Sequence, residues 1–209
     1  MRSTMMDVPL TVTALMRYGT TIFADREVRT WTGDGSYGQT YGRTGARAAK
    51  LAGALRSLGV DGDQRVATLM WNNAQHLEAY LAIPSMGAVL HTLNLRLDPA
   101  QLGYIANHAD DHAVIVDPSL VPLLAQVLGH AETIRHILVT GPAEDVPGHD
   151  AQLAGPGREV HSYEQLLAGM PESFAWAEPD ERSAAAMCYT SGTRVGSVMI
   201  TWSPAWLAM

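Results

Sequence analysis

Four short, predominantly apolar runs most constrain what this chain can fold into. They are Arg65-Val66-Ala67-Thr68-Leu69-Met70, Ala88-Val89-Leu90-His91-Thr92, Ala113-Val114-Ile115-Val116 and His136-Ile137-Leu138-Val139. Each is short for a helix, and none alternates polar with apolar residues, so each reads as a strand buried on both faces. Segments with helical spacing lie between them. The clearest spans 44–58, where Ala46, Ala49, Leu51, Ala52, Leu55 and Leu58 share one face and Gly59 stands at the C-terminal stop. Asn72-Asn73 starts another, through Leu77, Tyr80, Leu81 and Ile83. Asp98-Pro99 caps and opens a third over 100–107, because proline suits the first helical turn. Residues 118–128 form a fourth. Strand and helix in alternation predict an α/β fold with a parallel sheet flanked by helices.

The flanks are less regular. Residues 10–23 carry a modest helical pattern, 27–31 a short strand, 162–167 a short helix and 184–189 a last strand. Residues 141–160, rich in Gly, Pro, Asp and Glu, predict a surface loop without periodicity. A chain of 209 residues with 47% hydrophobic and 17% charged residues can bury a substantial core.

The net charge of −7 is unevenly distributed. Residues 1–110 hold ten Arg/Lys against nine Asp/Glu, whereas 111–209 hold four against twelve. An acidic second half argues against a nucleic-acid partner, which needs clustered cations. The single cysteine, Cys188, excludes an internal disulfide and fits a reducing compartment. No signal peptide is recognisable and no window approaches eighteen apolar residues, so a cytoplasmic location without a transmembrane segment is expected.

Chemistry enters at Cys188-Tyr189-Thr190-Ser191-Gly192-Thr193. A small apolar run opening into hydroxyls and a glycine is the pattern of a strand that ends in an anion-cradling turn. Glycine allows close backbone approach, and hydroxyls and amides supply donors. Three other motifs are weaker. Gly33-Asp34-Gly35-Ser36-Tyr37-Gly38 matches a dinucleotide pattern by letter, but Gln39-Thr40-Tyr41 separate it from the next helix, and a polar hairpin turn accounts for it better. His108 and His112 have the spacing of a helical metal pair, yet the helix is expected to end near Asn107, which favours two surface histidines. Cys188, inside an apolar strand, reads as an inert small hydrophobe. Asn94 and Arg96 follow a strand, where ligands bind in α/β sheets; a structural turn is an equal alternative.

Several stretches together resemble the adenylate-forming acyl-CoA synthetases. They are Thr40-Tyr41; Leu58-Gly59-Val60 with Gly62-Asp63 and Arg65-Val66-Ala67; Asn73 with Glu78-Ala79-Tyr80-Leu81-Ala82; Gly87-Ala88-Val89; and Tyr104-Ile105-Ala106-Asn107-His108-Ala109. The run His91-Thr92-Leu93-Asn94-Leu95-Arg96-Leu97 is most similar to the fatty-acyl-CoA synthetase branch. The resemblance extends from about Leu10 to Thr193 and matches the front, less than half, of such an enzyme. It implies activation of a fatty acid with ATP and Mg2+ to an acyl-adenylate, followed by transfer to CoA. Carried over by position, Thr190, Ser191, Gly192 and Thr193 match the start of the loop that wraps the β- and γ-phosphates of ATP.

The match stops at Thr193. The family continues Thr-Gly-x-Pro-Lys-Gly, whereas this chain has Arg194-Val195-Gly196, and Lys50 is its only lysine. A guanidinium at Arg194 is broader than an ammonium and stands too early in the loop to replace it. Residues 1–193 are therefore expected to form the N-terminal part of an AMP-binding domain. Residues 194–209 are expected to be a divergent tail, with an internal deletion and a shifted reading frame both open. The resemblance assigns no catalytic residue and no metal ligand to this chain, which is expected to be inactive alone. The alternative is a non-catalytic folded fragment that associates, through core surface and an unpaired sheet edge, with a complete synthetase.

Overall fold

The computed structural model describes residues 4, 8–190 and 198–202. Helix α1 (Val12–Ile22) leads into an antiparallel hairpin of β1 (Glu27–Trp31) and β2 (Ser36–Thr40), and helix α2 (Tyr41–Ser57) follows directly. Strand and helix then alternate through β3 (Arg65–Leu69), α3 (Ala74–Ser85), β4 (Val89–Thr92), α4 (Pro99–Ala109), β5 (Asp111–Val116), α5 (Val121–Leu128), β6 (His136–Val139), α6 (Val146–Leu153), β7 (Glu159–Ser162) and α7 (Tyr163–Ala168). Strands β8 (Ala186–Thr190) and β9 (Val198–Trp202) complete the described elements.

The main sheet has the order β7-β6-β5-β3-β4-β8-β9. Its neighbours pair in parallel except β8 and β9, which are antiparallel. The expected parallel sheet flanked by helices is therefore present. Strand alternation sorts its side chains onto two cores. Ala67, Leu69, Val114, Val116, Ile137 and Val139 pack with α4, α5 and α6. Val66, Leu90, Ala113, Ile115 and Leu138 pack on the other face with α1, α2, α3 and α7.

Local chemistry sets the helix boundaries. The Thr40 hydroxyl accepts from the Arg43 amide at 3.2 Å to start α2. That helix stops at Leu58, and Gly59 follows with φ 85°, a conformation that favours glycine. Asn73 caps α3 by accepting from the His76 amide at 2.8 Å. Asp98 caps α4 from the Ala100 amide at 2.9 Å, with Pro99 in the first turn.

Three expectations need correction. The third helix runs to Ala109, because Asp110 takes the left-handed conformation (φ 56°) that ends it, and Arg65 holds the Asp110 carboxylate at 2.9 Å. Residues 118–128 are split into a 3-10 turn, Pro118–Leu120, and α5. Pro122 has no amide proton to continue a bond to Pro118, so an unbroken α-helix cannot cross this point. Residues 141–160 are not a plain loop: they carry a 3-10 turn at Ala143–Asp145, then α6 and the start of the edge strand β7.

Candidate functional site

Parallel pairing places the carboxyl ends of β3, β4 and β8 along one edge of the sheet. Leu90, His91 and Thr92 of β4 lie beside Ala186, Met187 and Cys188 of β8, so Tyr189 and Thr190 project past the end of β4. Thr190 ends β8, and its backbone pairs with Val198 of β9. Ser191, Gly192 and Thr193, the other expected phosphate-binding residues, lie outside the described residues, as do Arg194, Val195 and Gly196.

Tyr189 is the anchor of this strand. Its side chain is buried against the α4 face, and its hydroxyl lies 2.6 Å from His108 Nδ1. Its ring sits 5.4 Å from the ring of His91. His91 is itself fully buried, with Nδ1 2.9 Å from both carboxylate oxygens of Asp111 and Nε2 without a hydrogen-bond partner. Burial pushes the Asp111 pKa up, against the opposing hydrogen bond from His91. Burial also raises the Tyr189 pKa, and the nearby Asp111 adds to that shift, so the phenol stays protonated. The line Asp111–His91–Tyr189–His108 joins β5, β4, β8 and α4, and β8 also carries Thr190. The contacts that join these four were not legible, because the partners are 20 and 81 residues apart.

Strands β3 to β7 are arranged in the flavodoxin-like doubly wound order, whose switch point falls between β3 and β5. In such sheets ligands bind at that crevice. Here Asp117 occupies it and is saturated from within the protein. Its carboxylate accepts from the Trp71 amide at 2.6 Å, Asn73 Nδ2 at 3.0 Å and the Thr140 hydroxyl at 3.0 Å. Asn73 also caps α3, so one residue ties the helix start to the switch point. Asp117 therefore serves a structural role at this crevice, tying β5 to the start of α3 and to Thr140.

The weaker motifs resolve by geometry. Gly33, at φ 99°, lies in the turn between β1 and β2, where the Thr32 amide donates to the Gly35 carbonyl at 2.9 Å. It is a hairpin rather than a phosphate loop. His108 is exposed on α4 and His112 lies on β5, so they do not share a helix. Asn94 and Arg96 are both exposed, and the Asn94 side chain accepts from the Arg96 amide at 3.1 Å, the geometry of a structural turn. Cys188 is half-buried and free of any disulfide.

A doubly wound parallel sheet flanked by helices, with β8 added beside β4, defines an α/β protein. Residues 19–194 match the AMP-binding enzyme family, and the chain belongs to it. It is 40% identical over 193 residues to a long-chain-fatty-acid–CoA ligase of Thermus thermophilus, covering 91% of this chain and 33% of that protein. It is 36% identical over 190 residues to a 3-methylmercaptopropionyl-CoA ligase of Ruegeria lacuscaerulensis, covering 90% and 34%. The fold is shared with an anthranilate CoA ligase solved in complex with anthranoyl-AMP, at a TM-score of 0.79 and 22% identity over 95% of this chain and 36% of that one. The chain thus spans about a third of the length of the curated relatives it matches. No helix among the described residues is long and apolar enough to cross a membrane.

Proposed function

We propose that residues 1–193 form the N-terminal part of the AMP-binding domain of an acyl-CoA ligase, with 194–209 a divergent segment. The observation that carries this reading is the placement of β8. Tyr189, clamped by His108 at 2.6 Å, delivers Thr190 to the carboxyl edge of a parallel sheet in a chain belonging to the AMP-binding enzymes. In this reading Thr190, Ser191, Gly192 and Thr193 cradle the β- and γ-phosphates of ATP with hydroxyl and amide donors. Mg2+, CoA and a fatty acid are ligands of the whole enzyme. The names of its relatives, acting on long-chain fatty acids and on 3-methylmercaptopropionate, support a carboxylic acid as substrate class.

The same chain alone does not complete adenylation. The reaction needs in-line positioning and stabilisation of charge on the transferring group. Arg194-Val195-Gly196 stand in the place of the lysine-bearing loop end. The single lysine, Lys50, lies on α2 beside Glu172 at 3.4 Å. The purified chain is expected to show no fatty-acid-dependent ATP–pyrophosphate exchange, and exchange that disappears in a Thr193→Val variant would overturn this. Melting with MgATP and with NAD(P) tests the ligand class, since a ligand stabilises only the fold that binds it. Stabilisation by NAD(P) and not by MgATP would count against the phosphate-loop assignment.

A further inference from the structure

Away from the β8 edge, the opposite flank of the sheet gathers His136, Glu159 and His161. The backbone register explains why. His136 pairs with Glu159 across β6 and β7, and His161 lies two residues beyond Glu159, so strand alternation puts all three on one face. His136 is also in line with Ala113, Val66, Leu90 and Ala186, at the amino end of β8. Four strand spacings separate it from β8, roughly 19 Å.

The distances within the cluster are those of a coordination shell. His136 Nδ1 and His161 Nε2 are 3.3 Å apart, and one carboxylate oxygen of Glu159 lies 3.5 Å from the first and 3.6 Å from the second. With metal bonds of about 2.0–2.1 Å, the vertices of a tetrahedron stand about 3.3–3.4 Å apart. The imidazoles are in hydrogen-bond contact, and the Glu159 oxygen lies at ion-pair distance from both, 3.5 and 3.6 Å, a spacing that one shared ion would also bridge. The imidazoles are mostly buried (side chains 16% and 18% exposed) while Glu159 is 67% exposed, so an ion can enter from solvent on its side. His161 also lines a cavity with Val146, Asp150 and Gln165, between α6 and α7. A third imidazole, His112, packs against His136 with ring centroids 5.4 Å apart, and its Nε2 is buried without a hydrogen-bond partner.

We infer that His136, Glu159 and His161 form a binding site for a divalent transition-metal ion of the zinc and cobalt type. Two imidazoles and a carboxylate suit such ions, whereas Mg2+ prefers an all-oxygen, octahedral shell. Three protein ligands leave the fourth position to solvent or an exogenous ligand. The site is independent of the ATP reading, since none of its residues lies on β8 or in the phosphate loop.

The test uses the untagged 209-residue chain, stripped with a chelator and titrated with Zn2+ by calorimetry and with Co2+ by visible absorption. One equivalent of Zn2+ per chain is expected, with the intense absorption of tetrahedral Co2+. The His136→Gln/His161→Gln variant is expected to bind at least ~100-fold more weakly, a loss no smaller than that of removing a ligand's supporting contact. Glu159→Gln, changing an exposed side chain, provides a second variant in which the fold is not at risk. It is expected to weaken binding and lower the Co2+ absorption. Circular dichroism of each metal-free variant confirms that it is folded. No saturable binding by the parent chain, or equal binding by the parent and the folded variants, would overturn the inference.

Discussion

The two faces of the central sheet bury comparable sets of aliphatic side chains but are closed by different physics. On the side of α4, α5 and α6 the packing is apolar apart from the buried His91–Asp111 pair beside Tyr189, with Leu102, Leu124, Val127 and Ile137 all fully buried. On the side of α2, α3 and α7 the core surrounds a charged network. Glu78, fully buried on α3, accepts from Arg47 Nε at 2.6 Å, Gln39 Nε2 at 2.9 Å and the Tyr163 hydroxyl at 2.7 Å. Arg47 also holds Glu164 through a bidentate pair at 3.0 and 2.6 Å. Burial alone would lower the Arg47 pKa, and its hydrogen bonds to Glu164 and Glu78 more than reverse that. Burial and the adjacent Glu78 both keep the Tyr163 phenol neutral. Hydrophobic contact is nondirectional, so it can close a face without specifying which helix lies where. The network couples the hairpin, α2, α3 and α7 in one geometry.

The largest expected effect comes from breaking the charged face. Glu78→Ala leaves the Arg47 and Tyr163 donors without their buried acceptor and should cost about 3–5 kcal/mol in urea unfolding. Replacing both charged partners, as Arg47→Met/Glu78→Leu, should cost less than the sum of the single changes, because no uncompensated charge remains at the fully buried Glu78 position and the Glu164 carboxylate left behind reaches solvent. Additive losses would show that the network is not a unit. On the apolar face, Leu124→Ala should cost about 2–5 kcal/mol through lost burial and a cavity. Combined with Glu78→Ala it should be additive to about 0.5 kcal/mol, since the two sites lie on opposite faces. Strong coupling would mean the faces are not independent.

The smallest effect is a pH dependence on the charged side. His76 of α3 is buried, with Nε2 3.1 Å from the Thr68 hydroxyl, Nδ1 3.2 Å from the Trp71 carbonyl and the Tyr80 ring 5.0 Å away. Burial lowers its pKa from 6.5, and the Trp71 carbonyl and the Asp117 charge oppose that only in part. The folded protein therefore binds this proton less readily than the unfolded chain. Its contribution is fully present above pH 6.5 and is lost as pH falls from 6.5 toward the lower folded value. The slope cannot exceed about 1.4 kcal/mol per pH unit for one group. Urea midpoints at neutral and mildly acidic pH should converge less steeply in His76→Gln than in the parent, and identical slopes would exclude His76 as a source.

Legibility in the sequence followed local signal strength. The runs at 65–70, 88–92, 113–116 and 136–139 are readable because strands buried on both faces carry apolar side chains at most positions. The start of α3 at Asn73 and of α4 at Asp98 was readable because a cap bonds within three residues. Helix α6 was not, because only Val146 and Leu153 of its eight residues are buried and no repeat emerges. Strand β7 is a four-residue edge whose identity comes from pairing with β6. At the site, Thr190 to Thr193 stood out as a contiguous motif. Tyr189's clamp on His108 and the approach of His136 to His161 did not, since each joins residues distant in the chain.

The sequence by itself determined the alternation of strands and helices, their caps, and the family to which Tyr189-Thr190-Ser191-Gly192-Thr193 and its companions point. Those properties are carried by neighbouring residues, where short-range sterics and hydrogen bonds act. Only the tertiary structure decided that Asp117 saturates the switch point, that Glu78 binds three elements together, and that three side chains from β6 and β7 meet at metal-like distances. Each of these depends on strand order and register, which arise from packing over the whole sheet and leave no mark at any one position.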